Sequence, residues 1–173
     1  MTFKINRLYY LYSKAFWIRT AIALVAYAII VLADKYDGTF RFPYYVLVFV
    51  LLLSASFIKF FDEPSEFRIE YGRVKVKDKL RKCYSYGKHA RYKTCYLSVY
   101  SASRITLKLL DKYKNIGVVT IIGDMSAEDK NGESVEGKVI VPKKIELYGV
   151  KSFYEATEEL KKTFPNAEII EKY

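Results

Sequence analysis

The chain has 173 residues, a net charge of +10 and a hydrophobic fraction of 51%. That length suits one soluble domain of ordinary size plus an anchor, and it excludes two full domains. One histidine, His89, and two cysteines, Cys83 and Cys95, exclude a His-rich metal or acid–base centre, and a four-ligand zinc site would need unusual carboxylate help.

The cysteines are twelve apart, and the preferred reading is a reduced pair of small apolar residues in a cytoplasmic domain; a disulfide is the alternative. Residues 1–61 carry seven Lys/Arg against two Asp/Glu, and residues 62–173 carry 22 against 17, so each part contributes +5. A basic balance suits nucleic acid or anionic lipid.

Residues 1–14 alternate Phe3, Ile5, Leu8, Tyr9, Leu11 and Tyr12 with Lys4, Arg7 and Lys14. This reads as a cytoplasmic, interfacial amphipathic lead-in, or else as a frayed cationic terminus. A first apolar run follows from Ala15 to Ala33. It has the length of a membrane span if Arg19 snorkels from one end, with Trp17 as an interface anchor. A second run, Phe42–Ile58, contains no charge and ends in Lys59-Phe-Phe61. Pro43 near its start costs little, Tyr44 and Tyr45 mark one interface, and Lys59 marks the other.

The turn between the runs, Asp34–Arg41, is short and polar. The pattern predicts an antiparallel transmembrane hairpin over 15–61. Lys4, Arg7, Lys14 and Arg19 precede it, and Lys59 and Arg68 follow it, whereas the turn offsets Lys35 and Arg41 with Asp34 and Asp37. Charge asymmetry therefore places both termini in the cytoplasm, in a two-span protein of the cell membrane. A signal peptide is disfavoured, because no small-x-small site precedes a mature domain and a second span follows at once. Two soluble core helices are disfavoured by seventeen residues without a charge.

After the acidic break Asp62–Glu66, residues 62–173 read as a cytoplasmic β domain. Phe67–Tyr71 alternates and turns at Gly72. In Arg73–Lys82, Arg73, Lys75, Lys77, Lys79 and Arg81 share one face, and Val74, Val76 and Leu80 the other. Thr94–Tyr100, Arg104–Leu110, Ile116–Ile122, Lys138–Val141 and Ile145–Leu147 are further strand candidates, and Asn131-Gly132 signals a hairpin. Ser152–Phe164 has helical spacing, with Phe153, Ala156, Leu160 and Phe164 along one face, a capping box from Ser152 to Glu155, and Pro165 as a stop. The expectation is six or seven strands closed at one end by a single helix.

This order resembles the bacterial membrane-anchored PH-like domain family, once described only as a domain of unknown function. The matching stretches are Tyr96–Tyr100, Ile105–Leu110 and Asn115–Ile121, and then Ile145–Tyr154 onward. The resemblance covers the layout of nearly the whole chain. It implies a PH-like barrel closed by the C-terminal helix, with no established catalytic residues.

Phosphate-binding Gly loops, G-x-S-x-G and H-E-x-x-H are absent. Asp124, Glu128, Asp129, Glu133 and Glu136 gather around Asn131-Gly132, but their spacing is not that of an EF-hand, and a solvated hairpin accounts for them. No catalytic residue, cofactor or metal is expected.

The distinctive constellation is Arg73–Lys93. Arg73, Lys75, Lys77, Lys79, Arg81, Lys82, Lys88, Arg91 and Lys93 stand against one acid, Asp78, with Tyr84, Tyr86 and Tyr92 interleaved. One reading is a surface for anionic headgroups or a partner. The plainer reading is a solvated strand face that blunts an edge, and composition alone does not displace it. Nucleic acid fits basic-plus-aromatic composition, but nothing further supports it.

The expected function is a non-catalytic, membrane-anchored module for interaction or scaffolding at the cytoplasmic face. Its partners would be the bilayer, anionic headgroups, and a protein or further copies of itself. The alternative is an accessory subunit of a membrane transporter or enzyme complex. There the small residues Ala21, Ala23, Ala26, Ala28, Ser54, Ala55 and Ser56 would let helices pack closely.

Overall fold

The computed structural model describes residues 1–37, 42–62, 64–78, 95–128 and 141–172. The chain divides into two compact units, Met1–Arg7 with Glu63–Tyr173, and Leu8–Asp62.

In the second unit, a 3₁₀ turn (Arg7–Tyr12) leads into α1 (Lys14–Asp37), and α2 (Phe42–Asp62) follows. Ser13 starts α1: its Oγ accepts the Phe16 N–H at 3.1 Å, the role of an N-cap hydroxyl. Aromatic rings join the two helices, Phe16 with Phe57 at 5.4 Å and Tyr27 with Phe49 at 5.1 Å between centroids. Among the described residues, one helix, α1, is long and apolar enough to cross a membrane, over Lys14–Lys35. The described apolar part of α2 is shorter, Tyr44–Ser54.

Among the described residues, the other unit is a mostly antiparallel seven-stranded sheet and one helix. Its elements are β1 (Thr2–Lys4), β2 (Glu66–Glu70), β3 (Arg73–Asp78), β4 (Cys95–Asp111), β5 (Ile116–Glu128), β6 (Lys144–Lys151), α3 (Phe153–Thr163) and β7 (Glu168–Lys172). Strands β1 to β6 lie in sequence order, and β7 pairs with β4 in parallel. The sheet does not close into a barrel. Among the described residues, its two end strands meet near Ile5 and Val150, where an isolated bridge forms and the Asn6 N–H donates to the Gly149 carbonyl at 2.8 Å.

Residues 2–4, within the stretch read as an interfacial lead-in, are thus a strand of this sheet. Phe3 stands opposite Phe67, and Ile5 N–H reaches the Ser65 carbonyl at 2.8 Å. The two runs Thr94–Tyr100 and Arg104–Leu110 are one strand, β4, whose register shifts at Val99/Ser101, Ala102/Arg104 and Leu109/Asp111. The Ser101-Ala102-Ser103 interruption is a pair of bulges rather than a turn, and bulges bend a long strand without ending it. Gly123 is opposite them, and a Cβ there would collide with the Ser101 carbonyl. The Asn131-Gly132 hairpin and residues 138–140 lie outside the described residues.

Alternating inward residues build the core: Phe3, Phe67, Val74, Val76, Leu97, Val99, Ile105, Leu107, Val119, Ile121 and Leu147 are all buried in one cluster. Helix α3 adds Phe153, Ala156, Leu160 and Phe164, the face read from its spacing. Its N-terminus is not the expected capping box. Ser152 is left-handed (φ 51°, ψ 48°) and makes no side-chain cap bond.

Asn115, at the β4–β5 turn, does that work instead. Its carbonyl accepts the Phe153 N–H and its Oδ1 accepts the Tyr154 N–H, each at 3.1 Å. Asn115 is itself left-handed (φ 51°), which an Asn tolerates better than a branched residue. Asn115→Ala is therefore expected to cost about 1–2 kcal/mol in chemical denaturation, with Asn115→Asp nearer wild type.

Glu171 of β7 and Glu158 meet Lys161 of α3 at 2.8 and 3.3 Å. The Glu171 hydrogen bond, more than the nearby Glu158, holds the Lys161 ammonium above its ordinary value of 10.5. A raised lysine stabilises the folded state below its unfolded value and loses that contribution as pH rises through the folded one. Stability should therefore fall slightly above pH 10.5, by about 0.2–1 kcal/mol for a partly exposed pair. Thermal unfolding of Lys161→Met across that range should show a smaller fall.

Candidate lipid- or partner-facing surface

Strand β3 alternates, so Val74 and Val76 go into the core while Arg73 and Lys75 take the opposite face. Across the sheet, Lys75 is opposite Ser98, which is opposite Ser126; the next row is Lys77, Tyr96 and Glu128. Arg73 and Lys75 do not project as bare cations. Arg73 Nη1 lies 3.3 Å from Glu128 Oε1, and Lys75 Nζ lies 3.4 Å from Glu128 Oε2. Ser126 Oγ donates to Oε1 at 3.3 Å.

Glu128 is 4% exposed, whereas half of the Arg73 side chain is accessible. A carboxylate so desolvated is held by its cations, and removing them would strand a buried charge. Ser98, in the neighbouring row, is fully buried, and its Oγ has no hydrogen-bond partner among the described residues.

The remaining predicted residues divide by place. Lys77 is on β3. Lys79, Arg81, Lys82, Lys88, Arg91 and Lys93 lie outside the described residues, as do His89 and Cys83. The segment that carries them connects Asp78 to Cys95, which are register partners.

Of the residues expected at the membrane interface, Trp17 is exposed, Tyr44 is exposed and Tyr45 half-buried. Arg19 Nη1 donates to the Tyr10 hydroxyl at 3.2 Å, so this charge is held by a phenol one turn before its helix. Lys59 is on α2.

The sequence places Glu128 among the acids of a solvated hairpin, whereas the structure makes it the counter-ion of Arg73 and Lys75. The usable signal was alternation: Asp124, Ser126 and Glu128 on one face with Met125 and Ala127 on the other continue the strand beyond Ile122. No group of three potential metal ligands occurs among the described residues. Comparison of the chain with family models, curated proteins and solved structures gave no match.

Proposed function

We propose that the chain is a non-catalytic interaction module of the cell membrane, held by a two-span hairpin with both termini in the cytoplasm. The proposal includes a PH-like architecture for its sheet and helix, and anionic headgroups as a contact of its basic face. The observation that carries the anchoring is the surface of α1. Only 11% of its most apolar window is buried within the protein, and Ile18, Ile22, Val25, Ile29 and Leu32 are exposed. A core helix would bury this face; a helix surrounded by lipid need not.

The strand pairing supports the second span. β1 precedes α1, β2 follows α2, and the two are hydrogen-bonded neighbours. If α1 crossed alone, β1 and β2 would lie on opposite sides of the bilayer and could not pair. Cleavage after α1 would remove β1 from the sheet, which argues against a signal peptide. The excess of Lys and Arg flanking the hairpin supports the cytoplasmic side.

The lipid contact is tested with the full chain in phosphatidylcholine nanodiscs, floated with vesicles; a fragment starting at residue 62 would lack β1. Reversal to Glu at Lys79, Arg81 and Lys82 should weaken binding to phosphatidylglycerol vesicles by about tenfold or more, since each cation near an anionic surface contributes about 1 kcal/mol. Equal binding of wild type to neutral and anionic vesicles would sink the lipid contact.

A further inference from the structure

We infer that Glu128 is a built-in anion, one that occupies Arg73 and Lys75 and that an anionic lipid headgroup must displace to use them. The inference rests on the lipid-contacting reading of the basic face. Its geometry is that of a recognised carboxylate: Arg73 and Ser126 on Oε1, Lys75 on Oε2, at 3.3, 3.3 and 3.4 Å. A guanidinium, an ammonium and a hydroxyl converging on two oxygens are also what a phosphodiester headgroup requires.

The occupant and the two cations come from different strands, so their association is set by the sheet and not by local sequence. The cations keep an outlet: half of Arg73 and a quarter of Lys75 are accessible at the side chain, against 6% of Glu128. They can turn outward to an external anion while the carboxylate cannot follow, and the cost of leaving Glu128 buried without them is what the external anion must offset. An internal occupant lowers apparent affinity by the fraction of time that the cations are free.

The same flotation assay tests this with Glu128→Gln, which keeps shape and removes charge. Binding to phosphatidylglycerol vesicles should tighten about fivefold, with phosphatidylcholine vesicles unaffected, because losing one carboxylate charge leaves the face with one more net positive charge. Adding Arg73→Gln and Lys75→Gln should abolish the gain. Glu128→Asp, one methylene shorter, should give a smaller gain in the same direction and serves if Glu128→Gln does not fold. If neither Glu128 variant binds tighter while the Lys79, Arg81 and Lys82 reversal still weakens binding, Glu128 is a structural ion-pair partner and the inference fails alone. If wild type and all variants bind neutral and anionic vesicles equally, the inference and the lipid reading fail together.

Discussion

Phe3→Ala should destabilise the β domain by about 3–5 kcal/mol, the cost of removing a fully buried ring from a packed core. The residue precedes both long helices in sequence, so a substitution in an ordinary N-terminal lead-in would change little. Here Phe3 is 3% exposed and stacks on Phe67 with centroids 5.1 Å apart and planes 22° apart. Phe67 has no accessible surface. The strand around Phe3 is three residues long, so little besides this ring and a few backbone bonds holds it. Chemical denaturation of the full chain in neutral detergent, followed by circular dichroism of the sheet, measures the loss. A change below about 1 kcal/mol would place it among ordinary surface substitutions and remove β1 from the cooperative unit.

Phe153→Ala is expected to cost a similar amount, about 3–5 kcal/mol, because Phe153 is the first anchor of α3 on the sheet. It is 2% exposed, and the sheet makes room for it at Gly117, where a Cβ would overlap the ring. Gly117→Ala should therefore destabilise by about 1–3 kcal/mol through overpacking. The two substitutions share one space, so the double variant should be more stable than their sum predicts; residues in contact couple by about 0.5–3 kcal/mol. Strict additivity would show that Gly117 serves the strand and not the ring.

Residues with regular spacing were legible in the sequence. The alternation of β3 and the Phe153, Ala156, Leu160, Phe164 face of α3 gave both the element and its buried side, because one period fits each. The long apolar run of α1 was legible for the same reason: length and composition alone define it. Three features were not legible, and each depends on a distant partner. The pairing of β1 with β2 joins residues separated by both helices. The capping of α3 by Asn115 replaces a local signal, Ser152 and Glu155, with one from the preceding hairpin. β7 is five residues long and pairs in parallel across an intervening helix, so no turn signal announces it.

The candidate surface was half legible for a related reason. Charge counting finds Arg73 and Lys75 as cations, and it cannot show that a carboxylate 53 residues beyond Lys75 has been brought against them. Net charge on a strand face overstates its free charge when the sheet supplies counter-ions from neighbouring strands. The field that a membrane would meet on β3 is accordingly weaker than composition suggests, by one of its two paired cations.

Side-specific cysteine labelling tests the central claim, that the hairpin crosses twice and returns the chain to the side where β1 and β2 pair. In a chain with Cys83 and Cys95 replaced by Ser, single cysteines at Thr2, Thr39 and Tyr113 are exposed to an impermeant maleimide in right-side-out and inverted membrane vesicles. The expected result is labelling of Thr2→Cys and Tyr113→Cys only in inverted vesicles, and of Thr39→Cys only in right-side-out ones. Labelling of all three from one side, or of Thr2→Cys and Tyr113→Cys from opposite sides, would contradict it.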